Sequence, residues 1–293
     1  MLEAGEVKKD DVVVEVGPGF GVLTLALAEN AKKVLAFEIE KKLEPYWTEQ
    51  MSRLKNIEVI WGNVLTTLSL RGAESDEAIS SPGDCRAALA MTKNYKVIAN
   101  LPYQITSNVI RKFLEAEHKP ELMVLMVQKE VAERICAKPA LPGEAGKRSR
   151  GDMSVLAVSV QCYAEPEIVM NVPRSYFWPV PGVDSAIIKL RAKQFNCNSD
   201  RASRRVEESL SSGIKGSLGY ARDDNECGDD EQFFKIVKAG FANRRKMLIK
   251  NLSAVADKKK LVVIFQEIGI SEKVRAQELS VEQWRMLVSK LSF

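Results

Sequence analysis

Four consecutive residues stand out as able to do chemistry: Asn100, Leu101, Pro102 and Tyr103, which end the apolar run Tyr95-Lys96-Val97-Ile98-Ala99. An exocyclic amine on a nucleobase is a weak nucleophile, because its lone pair is delocalised into the ring. The Asn100 side-chain oxygen and a neighbouring backbone carbonyl can accept its two N–H groups and draw the nitrogen toward a tetrahedral, reactive shape. Pro102 has no N–H and a fixed φ, so the turn is rigid and the Leu101 carbonyl before it can face a ligand. Tyr103 offers a flat face on which a base can stack. The same four residues would also suit a plain strand-ending turn with a buried Tyr.

A second set of residues points to a nucleotide-like ligand. Val12-Val13-Val14-Glu15-Val16 reads as a buried parallel strand and runs into Gly17-Pro18-Gly19-Phe20-Gly21, followed by the helical pattern Val22 to Ala28. Strand, glycine turn and helix form the first unit of a nucleotide-binding α/β fold, in which glycine lets the backbone approach its ligand closely. The Glu-x-Gly-x-Gly-x-Gly spacing differs from the Gly-x-Gly-x-x-Gly of dinucleotide enzymes and favours S-adenosylmethionine over NAD. The next strand, Lys33 to Phe37, ends in Glu38, 21 positions beyond Gly17. An acid at about that distance is the expected acceptor for ribose hydroxyls, although a solvated charge at a strand end has the same appearance. Asn63, after the strand Ile57 to Trp61, falls where a third strand would deliver a side chain to the adenine of such a ligand.

Strand and helix patterns alternate along the first 190 or so residues. After Tyr103 come a helix from Ile105 to Glu117, a strand from Leu122 to Val127 and a helix from Lys129 to Ala137. This order predicts an α/β fold with a doubly wound, mostly parallel sheet, whose ligands bind at the carboxyl ends of the strands. Gly17, Glu38, Asn63 and Asn100 all fall at such ends. The strand Ala186 to Leu190 is expected to close the sheet in an antiparallel hairpin with Glu167 to Met170. Polar stretches at about 66–92 and 194–230 read as an insertion and as a flexible insertion or linker. Domain limits are therefore placed at 1–193 and 231–293. The second domain is smaller and all-helical, with helices at Phe233 to Gly240, Asn243 to Ala254, Leu261 to Ile268 and Val281 to Leu291. Ser280-Val281-Glu282-Gln283 fits a capping box for the last of these.

Composition excludes several classes. The net charge of +4 is modest, so clustering matters more than the total. Lys147-Arg148-Ser149-Arg150, Arg244-Arg245-Lys246 and Lys258-Lys259-Lys260 are candidate phosphate contacts, or simply solvated faces. Cys85, Cys136, Cys162, Cys197 and Cys227 form no close pair, which suits free thiols in a reducing, cytoplasmic setting. The single His, His118, argues against a multi-His metal centre. No apolar run reaches the roughly 18 residues of a membrane span, and no signal peptide is visible.

With these residues placed, the chain resembles the small-subunit rRNA adenine dimethyltransferases of the KsgA type. The resemblance is carried by Glu15 to Gly21, Asn100 to Tyr103, Gln128-Lys129-Glu130-Val131-Ala132-Glu133-Arg134 and the helix Met153 to Gln161. It is carried further by Phe177-x-Pro179-x-Pro181-x-Val183-x-Ser185 and by Ala239 to Leu248. It implies a Rossmann-like methyltransferase sheet and transfer of methyl groups from S-adenosyl-L-methionine to the exocyclic amines of two adjacent adenosines. In the family these lie near the 3′ end of small-subunit rRNA, within an immature subunit. By position, Gly17, Gly19, Gly21, Glu38, Asn63 and Asn100 would contact the methyl donor, and Asn100 would also hold the target amine. Tyr103 and Phe177 would sandwich a flipped adenine, although Phe177 could equally serve packing. Arg244, Arg245 and Lys246 would meet RNA phosphates. The resemblance implies no metal, no membrane and a monomer.

The chain departs from the family pattern in several places. The basic Gln-Asn-Phe-like segment expected before the first strand does not appear, which fits either a truncated start or a donor site with one wall missing, and Asn63 stands where the family has Asp. Two other readings share the fold: a large-subunit rRNA adenine methyltransferase, against which the extended helical end argues, and a non-catalytic ribosome-assembly factor.

Overall fold

The computed structural model describes residues 1–67, 94–116, 118–139, 152–193 and 230–291. The expected insertion at 66–92, apart from its first two residues, lies outside them, as do the Lys147–Arg150 cluster, the 194–230 stretch before its last residue, and Cys85, Cys197 and Cys227.

Seven strands form one sheet: β1 (Val12–Val16), β2 (Lys33–Glu38), β3 (Ile57–Trp61), β4 (Lys96–Asn100), β5 (Leu122–Gln128), β6 (Ala164–Val172) and β7 (Ser185–Ala192). Their spatial order is β3-β2-β1-β4-β5-β7-β6. β1 to β5 are parallel, whereas β7 runs antiparallel to β5 and β6 antiparallel to β7. The order reverses between β1 and β4, which opens a crevice at their carboxyl ends.

Alternation along each strand sends side chains to two faces. Val13, Val34, Ile98, Val124 and Ile187 enter a cluster with Leu27 of α1 (Val22–Ala28) and Trp47 of α2 (Glu44–Arg53). Val14, Leu35, Val97, Ala99 and Leu125 face the other way. There they meet α4 (Thr106–Leu114), α5 (Lys129–Ile135) and α6 (Val155–Tyr163), a one-turn α3 (Val64–Thr67) having followed β3. Burial on both faces explains why these strands are nearly continuous apolar runs.

The C-terminal part is helical: α7 (Asp230–Gly240), α8 (Leu248–Leu252), α9 (Lys258–Glu267) and α10 (Val281–Leu291). It packs on the α4–α6 side, in one apolar cluster with it. Tyr163 and Phe234 rings lie 6.2 Å apart, and Arg285 donates to the Cys162 carbonyl at 2.7 Å. The capping box at Ser280 forms as expected, with Gln283 N–H donating to the Ser280 hydroxyl at 3.2 Å and Ser280 N–H to Gln283 Oε1 at 3.0 Å. The helix expected over Asn243 to Ala254 is shorter, because the buried Asn251 amide donates to the Gly240 and Asn243 carbonyls at 2.6 and 3.1 Å. Lys246 N–H also returns to the Asn243 carbonyl, so 243–247 is a turn.

The start of β4 is held by a buried cation. Lys96 Nζ donates to the Asp11 carboxylate and to the Glu6 carbonyl, both at 2.7 Å. Replacing Lys96 with Ala is expected to lower unfolding stability by about 3 kcal/mol, since the part-buried Asp11 carboxylate loses its cation and, among the described residues, keeps only the Lys8 N–H. Urea denaturation of the two proteins checks this.

Candidate active site

The glycine turn after β1 takes positive φ at Gly17, Gly19 and Gly21 (74°, 54° and 84°). A Cβ built on Gly17 or Gly19 would meet nothing within 4 Å, so the backbone faces open space there. A Cβ on Gly21 would come within 2.9 Å of Trp47 Cη2, so Gly21 is required for packing as well as for its backbone angle. The turn is held from behind by α2. Trp47 Nε1 donates to the Gly19 carbonyl at 3.0 Å, and the Tyr46 hydroxyl to the Phe20 carbonyl at 2.7 Å. These two aromatics were not singled out in the sequence, where they look like ordinary residues of an amphipathic helix.

Glu38 at the end of β2 is buried, and its carboxylate closes onto the turn. Oε2 accepts from Gly19 N–H at 3.1 Å, while Oε1 accepts from the N–H groups of Ile39 and Glu40, each at 2.8 Å. Asn63 is exposed after β3, its side-chain oxygen accepting from Leu65 N–H at 3.0 Å. Beneath the turn Glu15 is buried, and its Oε2 has no hydrogen-bond partner. Burial pushes the Glu15 carboxyl up to about 7, opposed by the nearby Thr24 hydroxyl and helped by the Glu38 charge. A desolvated carboxyl with an unpaired oxygen, two residues before the open Gly17 backbone, suits a cationic ligand group.

Across the crevice, β4 ends in an exposed Asn100 and a buried Leu101 whose N–H donates to the Met126 carbonyl at 3.3 Å. The Pro102 carbonyl turns inward to accept from Ile105 N–H and the Thr106 hydroxyl, at 3.1 and 3.3 Å. Tyr103 is half-buried, its hydroxyl bonded to the Ser185 hydroxyl at 2.9 Å. Ser185 opens β7 opposite Gln128 of β5 and Val172 of β6. Because β7 is antiparallel to β5, the β6–β7 loop (173–184) hangs at the carboxyl ends of the parallel strands. That loop carries Phe177, half-buried, whose N–H donates to the Arg174 carbonyl at 3.2 Å; Arg174 N–H in turn donates to Asp184 Oδ1 at 3.0 Å. Neither the Tyr103 nor the Phe177 ring touches another aromatic ring among the described residues.

Gly17, Gly19, Gly21, Glu38, Asn63, Asn100, Tyr103 and Phe177 thus all project from one edge of the sheet. Arg244, Arg245 and Lys246 lie apart from them, exposed on the 243–247 turn, where with Ala242 and Asn243 they line an open hollow of about 440 Å³. Among the described residues no group of three or more His, Cys, Asp or Glu is placed to hold a metal, and no helix is long and apolar enough to cross a membrane. Cys136 is an unsuitable nucleophile, since burial, with Glu167 nearby, pushes its thiol up to about 11.

The Tyr103–Ser185 bond is expected to fix the Tyr103 ring. Tyr103→Phe and Ser185→Ala should each lower stability by about 1 kcal/mol. The double variant should lose no more than the larger single loss, which thermal denaturation of the four proteins measures.

Comparison with known proteins adds to this geometry. Residues 1–209 match the sequence profile of a family described as ribosomal RNA adenine dimethylase. A protein of Dehalococcoides mccartyi described as ribosomal RNA small subunit methyltransferase A is 36% identical over 289 residues, covering 98% of this chain and 81% of that protein. A Bacillus mycoides protein of the same description is 34% identical over 296 residues, covering 99% and 85%. Among solved structures, a dimethyladenosine transferase from Plasmodium falciparum superposes with a TM-score of 0.65 at 23% identity, over 98% of this chain and 91% of that one. The 23S rRNA methyltransferase ErmE does so with 0.62 at 24%, over 100% and 95%. At these identities the two structures bear on the fold.

Proposed function

The chain belongs to the ribosomal RNA adenine dimethylase family, and from that premise we propose that it transfers methyl groups from S-adenosyl-L-methionine to two adjacent adenosines of small-subunit rRNA. The observation that carries this reading is that Gly17, Glu38, Asn63 and Asn100 stand at or just beyond the carboxyl ends of four neighbouring parallel strands, with Glu38 closed onto the Gly19 N–H. The open backbone at Gly17 and Gly19 accommodates the donor, Glu38 Oε2 faces its ribose hydroxyls, and Asn63 meets its adenine. The orphaned Glu15 carboxylate suits the cationic end of the donor. These residues fit that molecule.

The chemistry asks little of acids or bases. When bound, the donor would supply a methyl group on a sulfonium: the amine nitrogen would take it, the thioether would leave, and the proton of the resulting ammonium would pass to water. Asn100 Oδ1 and the Leu101 carbonyl accept the two N–H groups and hold the lone pair in line. Tyr103 and Phe177 clamp the base after it leaves the stack, while Arg244, Arg245 and Lys246 meet phosphates elsewhere on the RNA. The setting we infer is a cytoplasmic monomer acting on an immature small subunit.

Incubation with undermethylated small subunits and labelled donor should place label on adenine amines. Asn100→Ala should lower turnover about 100-fold while subunit binding stays within a few-fold. Wild-type protein that binds subunits and transfers no label would favour an assembly factor instead.

Glu15 gives this reading a pH signature. Its folded-state pKa is raised above the usual carboxylate range to about 7, so its contribution to stability is complete below about pH 4.5 and is lost as pH rises through 7. Glu15→Gln should therefore stabilise the ligand-free protein at pH 8 by roughly 2 kcal/mol. The same variant should bind the donor more weakly there, and in the wild type donor binding near pH 7 should release protons, as calorimetry in buffers of different ionisation enthalpy would read.

A further inference from the structure

The β6–β7 loop carries an aromatic that the adenine clamp does not use. Trp178 follows Phe177 and is 94% exposed, with Tyr176 before it 80% exposed. Among the described residues Trp178 makes no hydrogen bond and no ring contact. Leaving a whole indole in water forgoes one of the larger burial energies available to a side chain. The other tryptophans contrast with it: Trp47 and Trp284 are fully buried, and Trp61 is partly buried at the end of β3. Chain geometry puts Trp178 next to the clamp, since the loop is footed at Val172 and Ser185, and Ser185 is the residue bonded to Tyr103.

The foot of the loop also supplies charge. A hollow of about 330 Å³ is lined by Gln128, Lys129, Glu130, Arg174, Gly182, Val183 and Asp184. Its two carboxylates are already engaged, Glu130 with Arg134 at 2.9 Å and Asp184 Oδ1 with the Arg174 N–H. The Arg174 guanidinium is exposed, its one side-chain hydrogen bond among the described residues a long 3.4 Å contact to the Gly182 carbonyl, and the half-buried Lys129 lines the same hollow. A flat, unanchored indole on a loop whose foot carries two cations is an arrangement suited to single-stranded nucleic acid without base selectivity.

We propose that Trp178 is a second stacking platform, outside the adenine clamp, which takes a nucleobase flanking the target in unpaired rRNA while Arg174 and Lys129 hold the phosphate between the two bases. The proposal rests on the methyltransferase reading for the identity of its ligand. It adds a subsite that keeps the neighbouring nucleotide splayed while its partner is in the clamp. Trp178→Ala removes a side chain that packs on nothing, so folding is expected to survive.

The test uses the full chain and an rRNA hairpin whose loop holds the adjacent adenosines, in wild-type form and with the flanking nucleotide made abasic. Tryptophan fluorescence should be quenched on binding in the wild type and not in Trp178→Ala. The variant should bind about 10-fold more weakly, with the RNA KM raised and the donor KM unchanged. The abasic hairpin should bind the wild type as weakly as the intact hairpin binds the variant, and the two losses should not add. Trp178→Tyr should recover most of the affinity. Unchanged affinity in Trp178→Ala, or losses that simply add, would overturn the platform even if the wild type methylates the hairpin. Quenching and a 10-fold loss in a wild type that transfers no methyl would leave the platform standing and sink the enzymatic reading. Failure of the wild type to bind the hairpin would overturn the platform outright.

Discussion

The site depends on the direction of one strand. Were β7 parallel to β5, the loop before it would emerge at the opposite edge of the sheet, and Phe177 would face away from Asn100. Running antiparallel, β7 begins where β5 ends, with Ser185 opposite Gln128. The phenol of Tyr103 then reaches Ser185 across 2.9 Å. A single hydrogen bond between two hydroxyls is worth only about 1 kcal/mol, so its importance is geometric. It ties the turn after β4 to the base of the loop that carries Phe177.

At the glycine turn the arrangement works against stability. Three positive-φ glycines, an orphaned carboxylate oxygen and two buried acids gather at the ends of β1 and β2. The turn is kept in place by groups that touch its far side, Trp47 and Tyr46, leaving the near side bare. Glu38 has a double role here. Its carboxylate accepts three backbone N–H groups, which fixes its direction before any ligand arrives. Preorganisation of this kind lowers the ordering cost of binding. The unfavourable burial of Glu15 is the counterpart, a local cost that a proton offsets in the free protein and that a positively charged ligand would offset in a complex.

The sequence was readable wherever one element carried the signal by itself. The Val-rich β1, the glycine spacing and the Ser280–Gln283 box are local patterns, and they form at the expected positions. The motif residues were legible too, since sheet topology brings Gly17, Glu38, Asn63 and Asn100 to one edge once the strand order is known. What could not be read were the ties between distant segments. Trp47 meets Gly19 across 28 positions and Tyr103 meets Ser185 across 82. The Asn243 to Ala254 segment was misread for a related reason. Its helical periodicity is real, but a buried Asn251 amide that needs the Gly240 and Asn243 carbonyls wins over propensity and bends the chain into a turn.

The contrast between Tyr103 and Trp178 shows how one edge can serve two demands. Methyl transfer requires the amine to stay within a fraction of an ångström of its line of attack, so a ring beside it must not rotate. Tyr103 is held at both ends, by the backbone of a Pro-stiffened turn and by Ser185. Holding a neighbouring nucleotide out of the way has no such tolerance to meet. A ring with no anchor beyond its own backbone can follow the RNA as it settles, and an indole stacks on any base. On the proposed reading the anchored phenol and the unanchored indole therefore suit different tasks, although both are aromatic and both sit at the rim of the same sheet.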